Sequence, residues 1–128
     1  MGFNVLICDD SALARKMAKR NIPAGFATEI LEVSNGMDAL EALAHHRIDL
    51  ILLDLTMPVL DGIGVLEEMK RRQLKSFVIV ISGDIQPIMK EKVLSLGALA
   101  FIEKPIKQQL LEDVLKRYGF ILPENVAV

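Results

Sequence analysis

Short apolar runs alternate with longer stretches of helical period along this chain, and few folds accommodate that alternation. Asn4–Cys8, Leu50–Leu53 and Phe77–Ile81 are almost uniformly apolar, as strands covered on both faces should be. Ala27–Val33 is broken by Glu29 and Glu32, which suits an edge strand, and Leu99–Ile102 reads as a short fifth strand. The intervening stretches carry helix signals. Ser11 can cap a helix over Ala12–Asn21, and Asn35 one over Gly36–His46 with Met37, Leu40, Leu43 and Ala44 as its apolar stripe. Gly62–Arg72 places Ile63, Leu66 and Met69 on one face. Pro87 fits the first turn of a helix to Leu96 that Gly97 ends, while Ile106–Tyr118, carrying Leu110, Leu111, Val114 and Leu115, ends at Gly119.

The pattern is (βα)5 with short connections, and right-handed crossovers then make the sheet parallel with helices on both faces. The fold class is therefore doubly wound α/β. The flavodoxin-like strand order 2-1-3-4-5 puts the mixed second strand at an edge and centres the first and third. At 128 residues the chain is read as one domain over residues 1–128, with 119–128 as a tail or the start of a linker. A chain of this size buries about two-thirds of its unfolded surface, and 52% hydrophobic residues supply the core.

Other totals exclude function classes. A net charge of −2 gives no general attraction to nucleic acid or anionic membrane, so neither is expected as a direct partner. No apolar run reaches the roughly 18 residues of a membrane span. Cys8 is the only cysteine and lies in an apolar strand, so it reads as a small buried hydrophobe in a reducing, cytoplasmic setting.

The strand ends carry the chemistry. Asp9 and Asp10 follow the first strand, Asp54 the third, Ser82 the fourth and Lys104 the fifth. A parallel sheet brings these ends to one edge, where ligands of open α/β sheets bind. Singly, each residue reads as a turn, a cap or a solvated lysine. Together, three converging carboxylates repel one another unless a cation sits between them, and oxygen donors on loops suit Mg²⁺. A lysine and a hydroxyl add what a phosphoryl group needs. Asp54 is then the natural nucleophile, because a carboxylate can take a phosphoryl group as an acyl phosphate.

With those residues in view, the chain resembles the response-regulator receiver domains of two-component signalling, the CheY-like family. The matching stretches are Leu6-Ile7-Cys8-Asp9-Asp10-Ser11, Val33-Ser34-Asn35-Gly36, the segment from Asp54 to Gly62, Ser82-Gly83 and Lys104-Pro105, in the family's order. The resemblance implies that Asp54 is the phosphoacceptor. It makes Asp10 and Asp54 direct Mg²⁺ ligands, Asp9 a ligand through water, and the Thr56 backbone carbonyl a further ligand. Lys104 would hold the phosphate, Ser82 would be the switch hydroxyl, Phe101 the aromatic that turns with it, and Lys104-Pro105 a cis peptide. Ser82 replaces the family's frequent Thr, Phe101 its frequent Tyr, and Ile106 a frequent Phe; no essential group is lost. Thr56 and Asp84 flank the site at family-variable positions, where the resemblance gives them a tuning role in dephosphorylation.

The implied function is a switch with intrinsic autophosphorylation and autodephosphorylation, not a turnover enzyme. Its partners would be a sensor histidine kinase or phosphotransfer protein. An output partner, an output domain or a second copy in a phospho-dependent homodimer would meet the face of Pro87–Leu96, Leu99–Ile102 and Ile106–Tyr118. Two rivals stand beside it. A flavin or phosphotransfer enzyme of the same fold needs a glycine-rich phosphate loop, and Asp9-Asp10 stands in its place. A pseudo-receiver scaffold would lack one of the key groups, and all are present. Gly62-Ile63-Gly64 begins a dinucleotide fingerprint that Glu67 breaks. His45-His46 are neighbours on a helix, point apart, and read as a solvated helix end.

Overall fold

The computed structural model describes residues 2–120. β1 (Phe3–Cys8), β2 (Ala27–Val33), β3 (Leu50–Leu53), β4 (Phe77–Ser82) and β5 (Ala100–Glu103) form one parallel sheet in the order β2-β1-β3-β4-β5. The expected fold class and order are thus observed. The tail expected over 119–128 lies, from Ile121 onward, outside the described residues.

Alternation along the central strands divides the core into two layers. Leu6, Ile51, Leu53, Val78 and Val80 face α2 (Gly36–His45), α3 (Gly62–Arg72) and α4 (Pro87–Ser95), packing with Leu40, Val65, Leu66, Met69 and Val93. Val5, Ile7, Leu50, Leu52, Ile79 and Ile81 face α1 (Ala12–Asn21) and α5 (Gln108–Arg117), packing with Ala18, Leu111 and Leu115. Both faces are covered, which is why the strands read as continuous apolar runs. Cys8 is buried in the first layer. Burial, with the charge of Asp9 adding, pushes its thiol well above the usual range, so it packs as a hydrophobe.

The caps form as expected, with Ser11 Oγ accepting from Ala14 N–H and Asn35 Oδ1 from Asp38 N–H. Asp61, which the periodicity did not single out, caps α3 through Gly64 N–H. Two expected apolar stripes shift. On α2 Met37 is half exposed and Ala44 exposed, and the buried positions are Gly36, Ala39 and Leu40. Leu110 on α5 is also about half exposed, as is Leu94 on α4, where Met89 packs against the core. α5 starts at Gln108 because Lys107 is extended (φ −125°, ψ 138°), and Ile106 is buried ahead of the helix.

Candidate phosphoacceptor and metal site

Asp9, Asp54 and Lys104 each continue the ladder one residue past the end of their strand. Asp9 N–H donates to Val33 O at 3.1 Å, Asp54 N–H to Cys8 O at 2.9 Å, and Lys104 N–H to Ser82 O at 2.9 Å. These bonds hold β1 to β2, β3 to β1 and β5 to β4 at the carboxyl edge. Gly62 tightens the same region. A Cβ there would lie 2.5 Å from the Asp54 carbonyl oxygen, so only glycine lets α3 start this close to the end of β3.

Asp9, Asp10 and Asp54 each present a carboxylate oxygen within 4.8 Å of the others. Asp9 and Asp54 are buried and Asp10 is exposed. Lys104 Nζ bridges the two buried acids, 2.7 Å from Asp9 Oδ2 and 3.2 Å from Asp54 Oδ1. One ammonium cannot balance three carboxylates. Burial first, then the charge of Asp9, holds the Asp54 carboxyl above its ordinary pKa, against the opposing pull of Lys104 and the Thr56 amide. For Lys104, burial disfavours the ammonium, but the hydrogen bond to Asp9 and the charges of Asp54 and Asp9 outweigh it and raise the pKa. The donor set, all oxygen and two positive charges short, fits a small hard dication such as Mg²⁺.

Asp9 is held from three directions. Its Oδ1 accepts from Ser11 N–H at 2.9 Å, its Oδ2 from Lys104, and its carbonyl from Arg15 Nη1 at 2.7 Å. Arg15 also meets Glu32 at 3.3 Å, tying α1 to the edge strand β2. Sequence reading passed over Arg15. Its only signal was a basic residue one turn into the helix that follows Asp9-Asp10.

The remaining candidates sit around this cluster. Ser82 is buried, and its hydroxyl accepts from Asp84 N–H at 3.0 Å instead of bonding the acids. Asp84 Oδ1 accepts from Gln86 N–H at 3.2 Å, ordering the approach to α4. Thr56 is exposed in the loop after Asp54. Phe101 pairs with Val80 across the β4–β5 ladder and is partly buried against the layer that includes Val93. Lys90 of α4 holds its ammonium 5.5 Å from the centre of the Phe101 ring. The Lys104–Pro105 bond is cis. His45 pairs with Glu41 on the helix surface, away from any metal-like cluster among the described residues.

Fold and site together define a doubly wound α/β domain whose carboxyl edge gathers three acids and a lysine. The family model described as "Response regulator receiver domain" matches residues 5–116, and the chain belongs to that family. It is similar to the chemotaxis protein CheY of Bacillus subtilis, 34% identical over 91% of this chain and 98% of that protein. It also matches the probable C4-dicarboxylate response regulator DctR of Priestia megaterium, 30% identical over 91% of this chain but only 51% of the relative. Among solved structures, the CheX–CheY–BeF3–Mg²⁺ complex of Borrelia burgdorferi aligns with a TM-score of 0.81 and 31% identity, over 91% of this chain and 89% of that one. The protein is a receiver domain of two-component signalling. Among the described residues, no helix is long and apolar enough to cross a membrane.

Proposed function

We propose that Asp54 accepts a phosphoryl group from the phosphohistidine of a sensor kinase or phosphotransfer protein, and that this changes what the domain binds. The observation that carries the reading is the convergence of Asp9, Asp10 and Asp54 within 4.8 Å, bridged by Lys104. A carboxylate oxygen of Asp54 attacks phosphorus, the phosphorus–nitrogen bond of the donor breaks, and the imidazole leaves with the electron pair. Asp10 and Asp54, with Asp9 and the Thr56 carbonyl in support, would hold Mg²⁺. Bound there, Mg²⁺ neutralises charge on the transferring group. Lys104 leaves Asp54 for a phosphoryl oxygen, a move its compact ammonium allows. Water later hydrolyses the acyl phosphate and resets the domain.

Ser82 couples the chemistry to output. Its hydroxyl turns from the Asp84 amide toward the phosphoryl group, and the Phe101 ring moves into the space it vacates. The surface of α4, β5 and α5 then presents a different contour to an output partner, an output domain or a second copy. This is a two-state element biased by a local charge. The cytoplasm, where kinase and receiver meet, is the proposed location.

The experiment is treatment with acetyl phosphate and Mg²⁺, followed by borohydride trapping and mass mapping. Label on Asp54, lost in Asp54→Asn, supports the assignment; label elsewhere, or equal labelling of the variant, removes it.

A further inference from the structure

A cavity of about 330 Å³ opens between α1 and the segment joining β5 to α5. Leu52 and Ile81 of the sheet floor it, Ala14 and Met17 of α1 line one side, and Pro105 and Ile106 the other. Its lining is predominantly apolar, and the phosphoryl chemistry proposed above uses none of these six side chains. The space exists because α1 turns small side chains, Ala14 and the buried Ala18, toward this part of the sheet. Where β1 and β3 end, the lining passes to Asp9, Asp54 and Lys104. An apolar chamber of this size with a few convergent polar groups at one end has the form of a small-molecule site.

Charge selects the ligand class. The charged groups lining the cavity are two carboxylates and one ammonium, a surplus of one negative charge, and both carboxylates share the same lysine. A ligand carboxylate would add to that surplus, and a neutral head would leave it unanswered. An ammonium supplies the missing charge and three donors. We propose that the cavity binds a small apolar amine, with its hydrocarbon part against Leu52, Ile81 and Ile106 and its ammonium on Asp9 and Asp54, in competition with Mg²⁺. Occupancy then holds the domain unphosphorylated, so the cavity is an inhibitory site. The competition rests on the reading of Asp9, Asp10 and Asp54 as the Mg²⁺ ligands; the binding of the amine does not.

The test uses the full chain without metal, benzylamine as probe, and methyl NMR. Benzylamine should shift the methyls of Leu52, Ile81 and Ile106. At about ten times its own dissociation constant it should raise the apparent Mg²⁺ constant about elevenfold. Methylamine has the charge without the ring and toluene the ring without the charge; each should compete far less. Ile106→Phe and Ala14→Leu fill the space, and should abolish the benzylamine effect while Mg²⁺ still binds. The proposal is overturned if benzylamine leaves those methyls unmoved, or if methylamine or toluene competes equally well. Failure of Mg²⁺ itself to bind would remove the phosphoacceptor reading, while the methyl shifts would still decide the cavity.

Discussion

Lys104 and Asp9, 95 residues apart in sequence, are joined by a 2.7 Å hydrogen bond between ammonium and carboxylate. The contact closes the sheet edge from β1 to the end of β5 and sets the charge balance of the site. It also places Lys104 against Asp54, so that the metal-free domain holds the Asp54 carboxylate in an ion pair.

Removing that ammonium should have opposite effects on fold and metal. In Lys104→Ala the two buried acids lose their common partner, and the metal-free domain should lose about 1–3 kcal/mol. Mg²⁺ should bind more tightly, because a competing positive charge is gone. The raised Lys104 pKa means that the pairing is fully present below the unfolded value of 10.5 and is lost only as pH climbs through the folded one. Thermal melts and Mg²⁺ titrations of parent and variant at neutral pH check both signs. Weaker Mg²⁺ binding in the variant would contradict the charge argument.

The Asp54 carboxyl gives the opposite pH dependence. Its folded pKa lies above the unfolded 3.8, so the metal-free folded state holds that proton more tightly. Stability therefore falls as pH rises from 3.8 through the folded pKa, and stays reduced at neutral pH. Mg²⁺ favours the charged form, so its stabilising effect should grow with pH over the same window. Asp54→Asn should raise the metal-free Tm by roughly 3–6 °C, corresponding to about 1 kcal/mol, and lose most of the Mg²⁺ effect. Melts in chelator and in Mg²⁺ across the acid-to-neutral range decide it, the parent-minus-variant difference isolating this group.

Ser82→Ala separates chemistry from signalling. Asp54 should still be labelled by acetyl phosphate, while the shift in the α4–β5–α5 surface should be lost. Amide chemical shifts with and without beryllofluoride report it. Full responses of Phe101 and both helices in the variant would show that the hydroxyl plays no part in the switch.

Val59 tests strain in the loop after Asp54. Its φ is +68°, unfavourable for a β-branched side chain, and it is the centre of a three-residue turn closed by Leu60 N–H on Pro58 O at 2.7 Å. The side chain is 81% exposed and so contributes little packing. Val59→Gly should stabilise the domain by about 0.5–1 kcal/mol, relief of strain outweighing the added chain entropy. Denaturant unfolding measures this directly. A loss of stability would mean that the exposed side chain makes a contribution that its burial conceals.

Sequence by itself determined the elements and the residues of the edge. The reason is that each signal is local: an apolar run covered on both faces, a capping side chain, or a polar group where a strand stops. Asp9, Asp10, Asp54 and Lys104 were legible because a parallel sheet converts strand ends into neighbours whatever the details of packing. Tertiary structure alone decided the rest, because it depends on which atoms meet. Met37 and Leu110 satisfy helical period yet face outward, since only the neighbouring elements settle which side of an apolar stripe is covered. Arg15 reaches the Asp9 carbonyl, and Ser82 serves the Asp84 amide, through distances that no spacing encodes. The cavity beside Ile106 has the same origin: it is a volume left between α1 and the sheet, and a volume has no sequence.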